Sequence, residues 1–142
     1  SPVFKVFWEN VYDLPVEIKI LSAKYGLIDW SSRIPNYNYK MQKSDIPKFV
    51  KELKDKLKRY DKIFFIGLGL YRKVVEIVKE ETDYDIDIFP KLKLTTRNKL
   101  DILEYIKQME KFREAIIEFI PRESRSVNET LPQTTLDQFT GS

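Results

Sequence analysis

Cysteine and histidine are both absent from the 142 residues of this chain. Without cysteine there is no disulfide bond, no thiolate nucleophile and no sulfur ligand for a metal ion. Without histidine the chain lacks the commonest general base, which excludes catalytic triads built on histidine. Any chemistry must therefore come from carboxylates, lysine, tyrosine, serine, asparagine, arginine or backbone dipoles, and we predict no cofactor.

Long apolar runs are also missing. No stretch is long enough to cross a bilayer and no basic-then-apolar leader is present, so we expect an intracellular protein with no membrane partner. The formal net charge is only +3, which permits contact with a phosphate backbone without requiring it. Abundant Lys, Glu and Ile beside absent Cys suit a heat-adapted, archaeal protein.

The spacing of apolar residues predicts helices that alternate with strands. The predicted helices cover 3–12, 44–60 (with Ser44 as N-cap), 68–82 and 99–120, and the predicted strands cover 16–22, 62–67 and 84–90. This order indicates an α/β fold, a small three-layer domain over 1–120 with a mainly parallel sheet and a long C-terminal helix. Because three strands make a thin sheet, a further N-terminal strand would complete it. The polar segment 121–142 is predicted to be a flexible, disordered tail.

A polar and aromatic loop is predicted over 23–43, directly after the first strand. Ligands of open α/β sheets bind where loops leave the carboxyl ends of strands. Amide groups there can read a base edge, and aromatic rings can stack on it. The candidate residues are Ser22, Gly26, Asn36 and Tyr37 for substrate binding and Lys24 and Tyr25 for catalysis. The alternative is structural, with Lys24 and Tyr25 capping the sheet.

The same loop carries a family resemblance. "LSAKYGLI" followed by "IPNYNYKM" resembles the "SAKYGL…PYD" signature of a family of small α/β domains, which is similar to YaaA-type peroxide-stress proteins and to accessory domains of archaeosine-type deazaguanine-modifying enzymes. The matching residues are Ser22, Lys24, Tyr25, Gly26, Pro35 and Tyr37. Asn38 stands where the signature has Asp, and the strand that usually introduces such domains does not precede Ser1. The resemblance implies DNA or a nucleotide as a partner and leaves catalysis open.

Two other stretches admit a functional interpretation. In "FFIGLGLYRK" (64–73), Arg72 falls where a dinucleotide-binding motif needs its third glycine, so we predict a tight strand-to-helix turn around Gly67 and Gly69.

In "DYDID", alternating carboxylates near Lys91 and Lys93 would suit a Mg²⁺-dependent nuclease. The interpretation we favour is a solvated strand face that prevents edge pairing. The carboxylates are Asp83, Asp85 and Asp87.

The C-terminal segment contains "QTTLDQF", in which Gln133, Leu136 and Phe139 are spaced by three. One helical turn places Leu136 and Phe139 on one face, as a plug for an apolar pocket. The pattern resembles the PIP box, the peptide by which replication and repair proteins bind the sliding clamp PCNA. The second aromatic residue of such peptides is replaced here by Thr140, so we expect weaker binding.

These observations predict a DNA replication- or repair-associated protein that binds PCNA through its tail. A nucleotide-binding or DNA-processing site would lie in the loop from Ser22 to Tyr39. Two alternatives stay open at this point. The first is a non-catalytic clamp-binding adaptor or regulator, and the second is a Mg²⁺-dependent nuclease. Whether the chain is an enzyme is not decided by its sequence.

Overall fold

The computed structural model describes residues 2–32, 38–92 and 100–121. In these ranges the chain forms, in order, α1 (Pro2–Val11), β1 (Lys19–Ser22), β2 (Gly26–Asp29), a 3₁₀ helix (Lys43–Asp45), α2 (Ile46–Leu57), β3 (Ile63–Ile66), α3 (Gly69–Glu81), β4 (Ile86–Phe89) and α4 (Ile102–Phe119). The predicted mixture of helices and strands is confirmed. The chain divides into two compact units, one from Ser1–Val16 with Ile102–Ser142 and one from Glu17–Asp101.

The strands of the second unit form two separate pairs. Strands β1 and β2 are antiparallel, with Ser22 opposite Gly26. Strands β3 and β4 are parallel, with Ile63 opposite Ile86. Among the described residues, no strand joins the two pairs into one sheet. One parallel pair is therefore confirmed, whereas the three-layer arrangement stays a prediction.

Two local predictions are wrong. Residues 26–29, predicted as loop, form strand β2, because Gly26 adopts a φ of +77° and lets the chain turn back beside β1. Ser44 does not cap α2, because it lies inside the 3₁₀ helix. Asp45 precedes α2, and its carboxylate accepts a hydrogen bond from the Gln42 backbone N–H at 2.8 Å.

The core of the second unit is built mainly from one stripe on each of α2 and α3 and from β4. The α2 stripe follows the predicted spacing, with Phe49, Val50, Leu53 and Leu57 buried. It packs with Val74 and Val78 of α3, which are completely buried. Burying each such side chain contributes on the order of 1.5–3 kcal/mol. This packing supports α2, the helix that carries the β1–β2 hairpin described below.

The first unit pairs α1 with α4. The rings of Phe7 and Phe112 lie 6.3 Å apart between their centroids. The Arg113 guanidinium donates to both carboxylate oxygens of Asp13, at 2.7 and 2.8 Å, and to the Asn10 backbone carbonyl at 2.8 Å. The predicted helix at 3–12 is confirmed, and the predicted start of the last helix at Lys99 lies outside the described residues. None of the helices described here is long and apolar enough to cross a membrane.

Candidate functional site

Four of the predicted site residues meet in the turn between β1 and β2. Ser22 ends β1, Gly26 begins β2, and Lys24 and Tyr25 lie between them. Asn36, Tyr37 and the signature residue Pro35 lie outside the described residues. The structure therefore brings together four of the six predicted site residues, whereas the place of Asn36 and Tyr37 in the site stays a prediction.

Ser22 has a structural task in this turn. Its side chain is buried, with the residue 2% exposed. Its Oγ accepts hydrogen bonds from the backbone N–H groups of Tyr25 at 3.1 Å and Lys24 at 3.3 Å. Serine commonly stabilises turns in this way. The Ser22 oxygen is thus committed to holding the hairpin closed.

Lys24 and Tyr25 are presented at the tip of the hairpin. The Lys24 ammonium lies 5.6 Å from the centroid of the Tyr25 ring, within the range of a cation–π contact. Tyr25 is 37% exposed, an unusual exposure for a large aromatic ring. Together they offer a positive charge and a ring face to solvent. A base or a phosphate can use such groups, although the geometry singles out neither as catalytic.

The hairpin is attached to α2 by a residue that the sequence did not indicate, Glu52. Glu52 Oε2 accepts a hydrogen bond from the Leu27 backbone N–H at 2.9 Å. Lys56, one helical turn later, donates to the Leu27 carbonyl at 3.2 Å and to Glu52 Oε1 at 3.3 Å. The only sequence signal was the spacing of Glu52 and Lys56 on one helix face.

A cleft with a volume of about 490 Å³ opens between this hairpin and the C-terminal half of α2. None of the predicted site residues that the structure describes lines it. Its lining residues are Lys19, Leu27, Ile28, Asp29, Ser32, Asp55, Lys56, Lys58 and Arg59. The Lys19 side chain donates a hydrogen bond to Asp29, which raises the pKa of Lys19 and lowers the pKa of Asp29. Its lining is partly apolar, through Leu27 and Ile28, and its charged side chains include more cations than carboxylates.

Two of the alternating carboxylates, Asp85 directly before β4 and Asp87 within it, form ion pairs with lysine. Lys62 Nζ lies 2.8 Å from Asp85 and 3.3 Å from Asp87. Burial alone would lower the pKa of Lys62, but the hydrogen bonds with these two carboxylates outweigh it, and the pKa is raised. Lys91 lies 3.8 Å from Asp87. Lys93 lies outside the described residues.

In the described part of the chain, no three or more Asp and Glu side chains are grouped so that they could hold a metal ion. The carboxylates of "DYDID" that the structure pairs with lysine therefore fit an ion-paired strand face better than a metal site. The magnesium-dependent alternative stays a prediction without geometric support in these residues.

The glycine-rich stretch forms the predicted tight strand-to-helix turn. The Gly67 backbone N–H donates to the Phe89 carbonyl at 3.1 Å, and α3 begins at Gly69, where φ is +63°. Arg72 donates to the Pro90 carbonyl and to Glu76, both at 2.9 Å. Since the Arg72 guanidinium ties α3 to the end of β4, this turn has a structural role.

The clamp-like residues Gln133, Leu136 and Phe139 lie outside the described residues. Comparisons of the chain with family models, with curated proteins and with solved structures found no match. The family resemblance of the loop and the peptide resemblance of the tail therefore both stay predictions that need a direct test.

Proposed function

We propose that this chain binds the sliding clamp PCNA through its C-terminal peptide and acts in DNA replication, repair or modification. The observation that supports the proposal is the spacing of Gln133, Leu136 and Phe139 within a polar segment at the end of the chain. Ser, Thr, Asn and Pro dominate that segment, so its apolar side chains are not accounted for by a core of its own.

The expected docking mode follows from the chemistry of the three side chains. A single helical turn brings Leu136 and Phe139 to one face, where they fill an apolar pocket of the clamp. Gln133 precedes this turn and bonds to backbone groups in a neighbouring pocket. Asp137 lies in the first turn, where a carboxylate complements the helix dipole. Because the peptide must become ordered on binding, we expect a micromolar dissociation constant.

The folded part is proposed to act as an adaptor or regulator that the clamp recruits. Two observations favour this form over an enzyme. The Ser22 oxygen is committed to the hairpin turn. The Asp85 and Asp87 carboxylates are paired with Lys62. An adaptor needs a stable folded body and a free peptide, and it needs no reacting group.

Titration calorimetry of the full chain against an archaeal and a eukaryotic PCNA tests the proposal. We expect binding by the native chain and its loss in the double variant Leu136→Ala/Phe139→Ala. The matched control is Ser126→Ala/Thr130→Ala, which changes two residues of the same polar segment ahead of the three-residue pattern and should bind normally. Absence of binding by the native chain to both clamps would refute the proposal.

The second candidate is a nucleotide or DNA site on the loop from Ser22 to Tyr39, supported by the exposed Lys24–Tyr25 pair. Its test is binding of nucleotides and short DNA by the variants Lys24→Ala and Tyr37→Ala. Reduced binding in both would support the site. Unchanged binding in both would leave the adaptor form of the function.

A further inference from the structure

Positive charge is concentrated in one part of the second unit. Residues 38–59, which contain α2, carry eight Lys and Arg against three Asp and Glu. Residues 60–92, which contain β3, α3 and β4, carry five Lys and Arg against seven Asp and Glu. The small net charge of the whole chain therefore hides a strong local excess around α2. A local excess of positive charge on one face can attract a polyanion even when the net charge of the whole chain is small.

The excess is displayed on the outer face of α2, opposite the stripe that packs into the core. Lys48, Lys51, Asp55 and Lys58 follow one another at intervals of three or four residues, and all four are exposed. Such intervals place side chains on one face of a helix. Arg59, also exposed, follows directly after Lys58. We call Lys48, Lys51, Lys58 and Arg59 the basic face.

The cations of the basic face are available to a ligand. Within the part of the chain that the structure describes, Lys48 and Lys51 form no ion pair. The Lys48 ammonium lies 5.2 Å from the Phe49 ring centroid, and its charge helps to lower the pKa of Asp45. Lys58 pairs with Asp55 at 3.2 Å, with side chains 66% and 76% exposed. Arg59 contacts Glu17 at 3.5 Å and donates a hydrogen bond to the Tyr60 hydroxyl at 2.6 Å, both on the surface. Exposed pairs of this kind contribute about 0–1 kcal/mol and exchange readily for a stronger anion.

The basic face continues into the cleft between α2 and the hairpin. Lys58 and Arg59 line that cleft together with Lys19 and Lys56. Twelve residues of helix α2 give a length of about 18 Å, along which duplex DNA carries about ten phosphates. The surface therefore combines a row rich in cations with an adjoining cleft that carries further cations, on the scale of a short segment of duplex.

The shape and polarity of the surface discriminate among polyanions. The exposed large apolar side chains of the second unit are Tyr25, Tyr39 and Leu68 among the described residues, and none belongs to α2. A helix that binds a membrane surface needs apolar side chains to insert. A single-strand site needs aromatic rings on which bases stack. A rigid helix face on which cations outnumber carboxylates, without exposed large apolar side chains, fits the backbone of a duplex.

We infer that the basic face of α2, with the adjoining cleft, binds the phosphate backbone of duplex DNA without reading its sequence. Lysine and arginine side chains that displace condensed counterions supply the affinity. No base-reading element is needed for such binding. This surface is distinct from the clamp peptide, and its function does not depend on whether the tail binds PCNA.

The test is fluorescence anisotropy of a labelled short duplex titrated with the full chain over a series of salt concentrations, with no clamp present. We compare the native chain with Lys48→Gln/Lys51→Gln. We expect about a tenfold loss of affinity at low salt, and a salt dependence whose slope falls by about two, since each lost phosphate contact removes about 0.9 from the slope.

The matched control is Lys73→Gln/Lys79→Gln, which removes two exposed lysines from α3 and changes the net charge equally. We expect this control to keep native affinity and slope. Equal losses in the two variants, or no duplex binding by the native chain, would overturn the assignment. Preferential binding to single strands or to vesicles of anionic lipid would also overturn it. Thermal unfolding of both variants verifies that they are folded.

Discussion

The carboxylate of Glu52 occupies the space beside Gly26 that a side chain would need. An ideal Cβ on Gly26 would lie 2.2 Å from Glu52 Oε2. The same oxygen accepts the Leu27 N–H at 2.9 Å. Helix α2 and the β1–β2 hairpin are joined at this point, so the hairpin tip with Lys24 and Tyr25 is held by a helix distant in sequence.

Replacement of Gly26 by alanine should destabilise the protein through two effects. The φ of +77° is strained for alanine, and the new Cβ displaces Glu52 from its hydrogen bond with Leu27. We expect a loss of about 2–3 kcal/mol in the free energy of unfolding, measured by urea denaturation.

Gly69→Ala is the control for this experiment. Gly69 has a φ of +63°, but no atom lies within 4 Å of its ideal Cβ. We expect only the backbone penalty of about 1 kcal/mol. Equal losses at the two positions would show that the Glu52 contact contributes nothing.

The Tyr39–Asp45 hydrogen bond, at 2.6 Å, predicts a pH effect. This bond and the bond from the Gln42 backbone N–H lower the pKa of Asp45. A lowered pKa means that the contribution to stability is present above the unfolded-state pKa and is lost as the pH falls through the folded-state pKa. In Tyr39→Phe, the pKa of Asp45 should rise part of the way to its usual value, because the Gln42 bond remains.

Carboxyl NMR titration measures this change. Asp29 is an internal control, because its pKa is lowered by Lys19 and should not move in Tyr39→Phe. An unchanged pKa of Asp45 in the variant would contradict the assigned cause.

Lys62→Met tests whether the β4 carboxylates form a structural ion-paired face. The Lys62 side chain is only 13% exposed and contacts both Asp85 and Asp87. Its removal leaves two neighbouring carboxylates without their shared cation, and we expect a loss of about 1–2 kcal/mol in unfolding free energy. Addition of Asp85→Asn should recover part of that loss.

Lys91→Met is the comparison, because its contact with Asp87 is long at 3.8 Å and its side chain is 48% exposed. We expect a change below about 0.5 kcal/mol. Mg²⁺-dependent cleavage of structured DNA that Asp85→Asn abolishes would instead establish the nuclease alternative.

Arg113→Lys should weaken the contact between α1 and α4. The guanidinium makes two parallel hydrogen bonds to Asp13 and a third to Asn10, and lysine keeps the charge without this planar geometry. We expect a loss of about 1–2 kcal/mol in the free energy of unfolding. Lys5→Met is the control, because the pair of Lys5 with Glu9 is 4.0 Å long and largely exposed. A comparable loss of unfolding free energy in this control would argue against a special role for Arg113.

Several elements were predictable because their signal is local. The stripe of α2, the apolar run of β3 and the glycine turn before α3 each follow from residues within a few positions of one another. Strand β2 was missed because it is only four residues long and ends in Asp29, so its sequence carries little strand signal. Its pairing with β1 becomes visible only in the folded chain. Lys24, Tyr25 and Gly26 of the predicted site were therefore assigned to a loop, although they belong to the β1–β2 hairpin.

Composition excludes thiol and imidazole chemistry, and the order of residues places a clamp-like peptide at the C-terminal end of the chain. The side-chain contacts that hold the helices and strands together could not be derived from the sequence. Glu52 with Leu27, Lys62 with Asp85, and Arg113 with Asp13 join residues 25, 23 and 100 positions apart. No local rule links side chains over such distances, because their contact depends on how helices and strands pack. Folding thus decided the role of Ser22, the pairing of the acidic strand and the exposure of the basic face of α2.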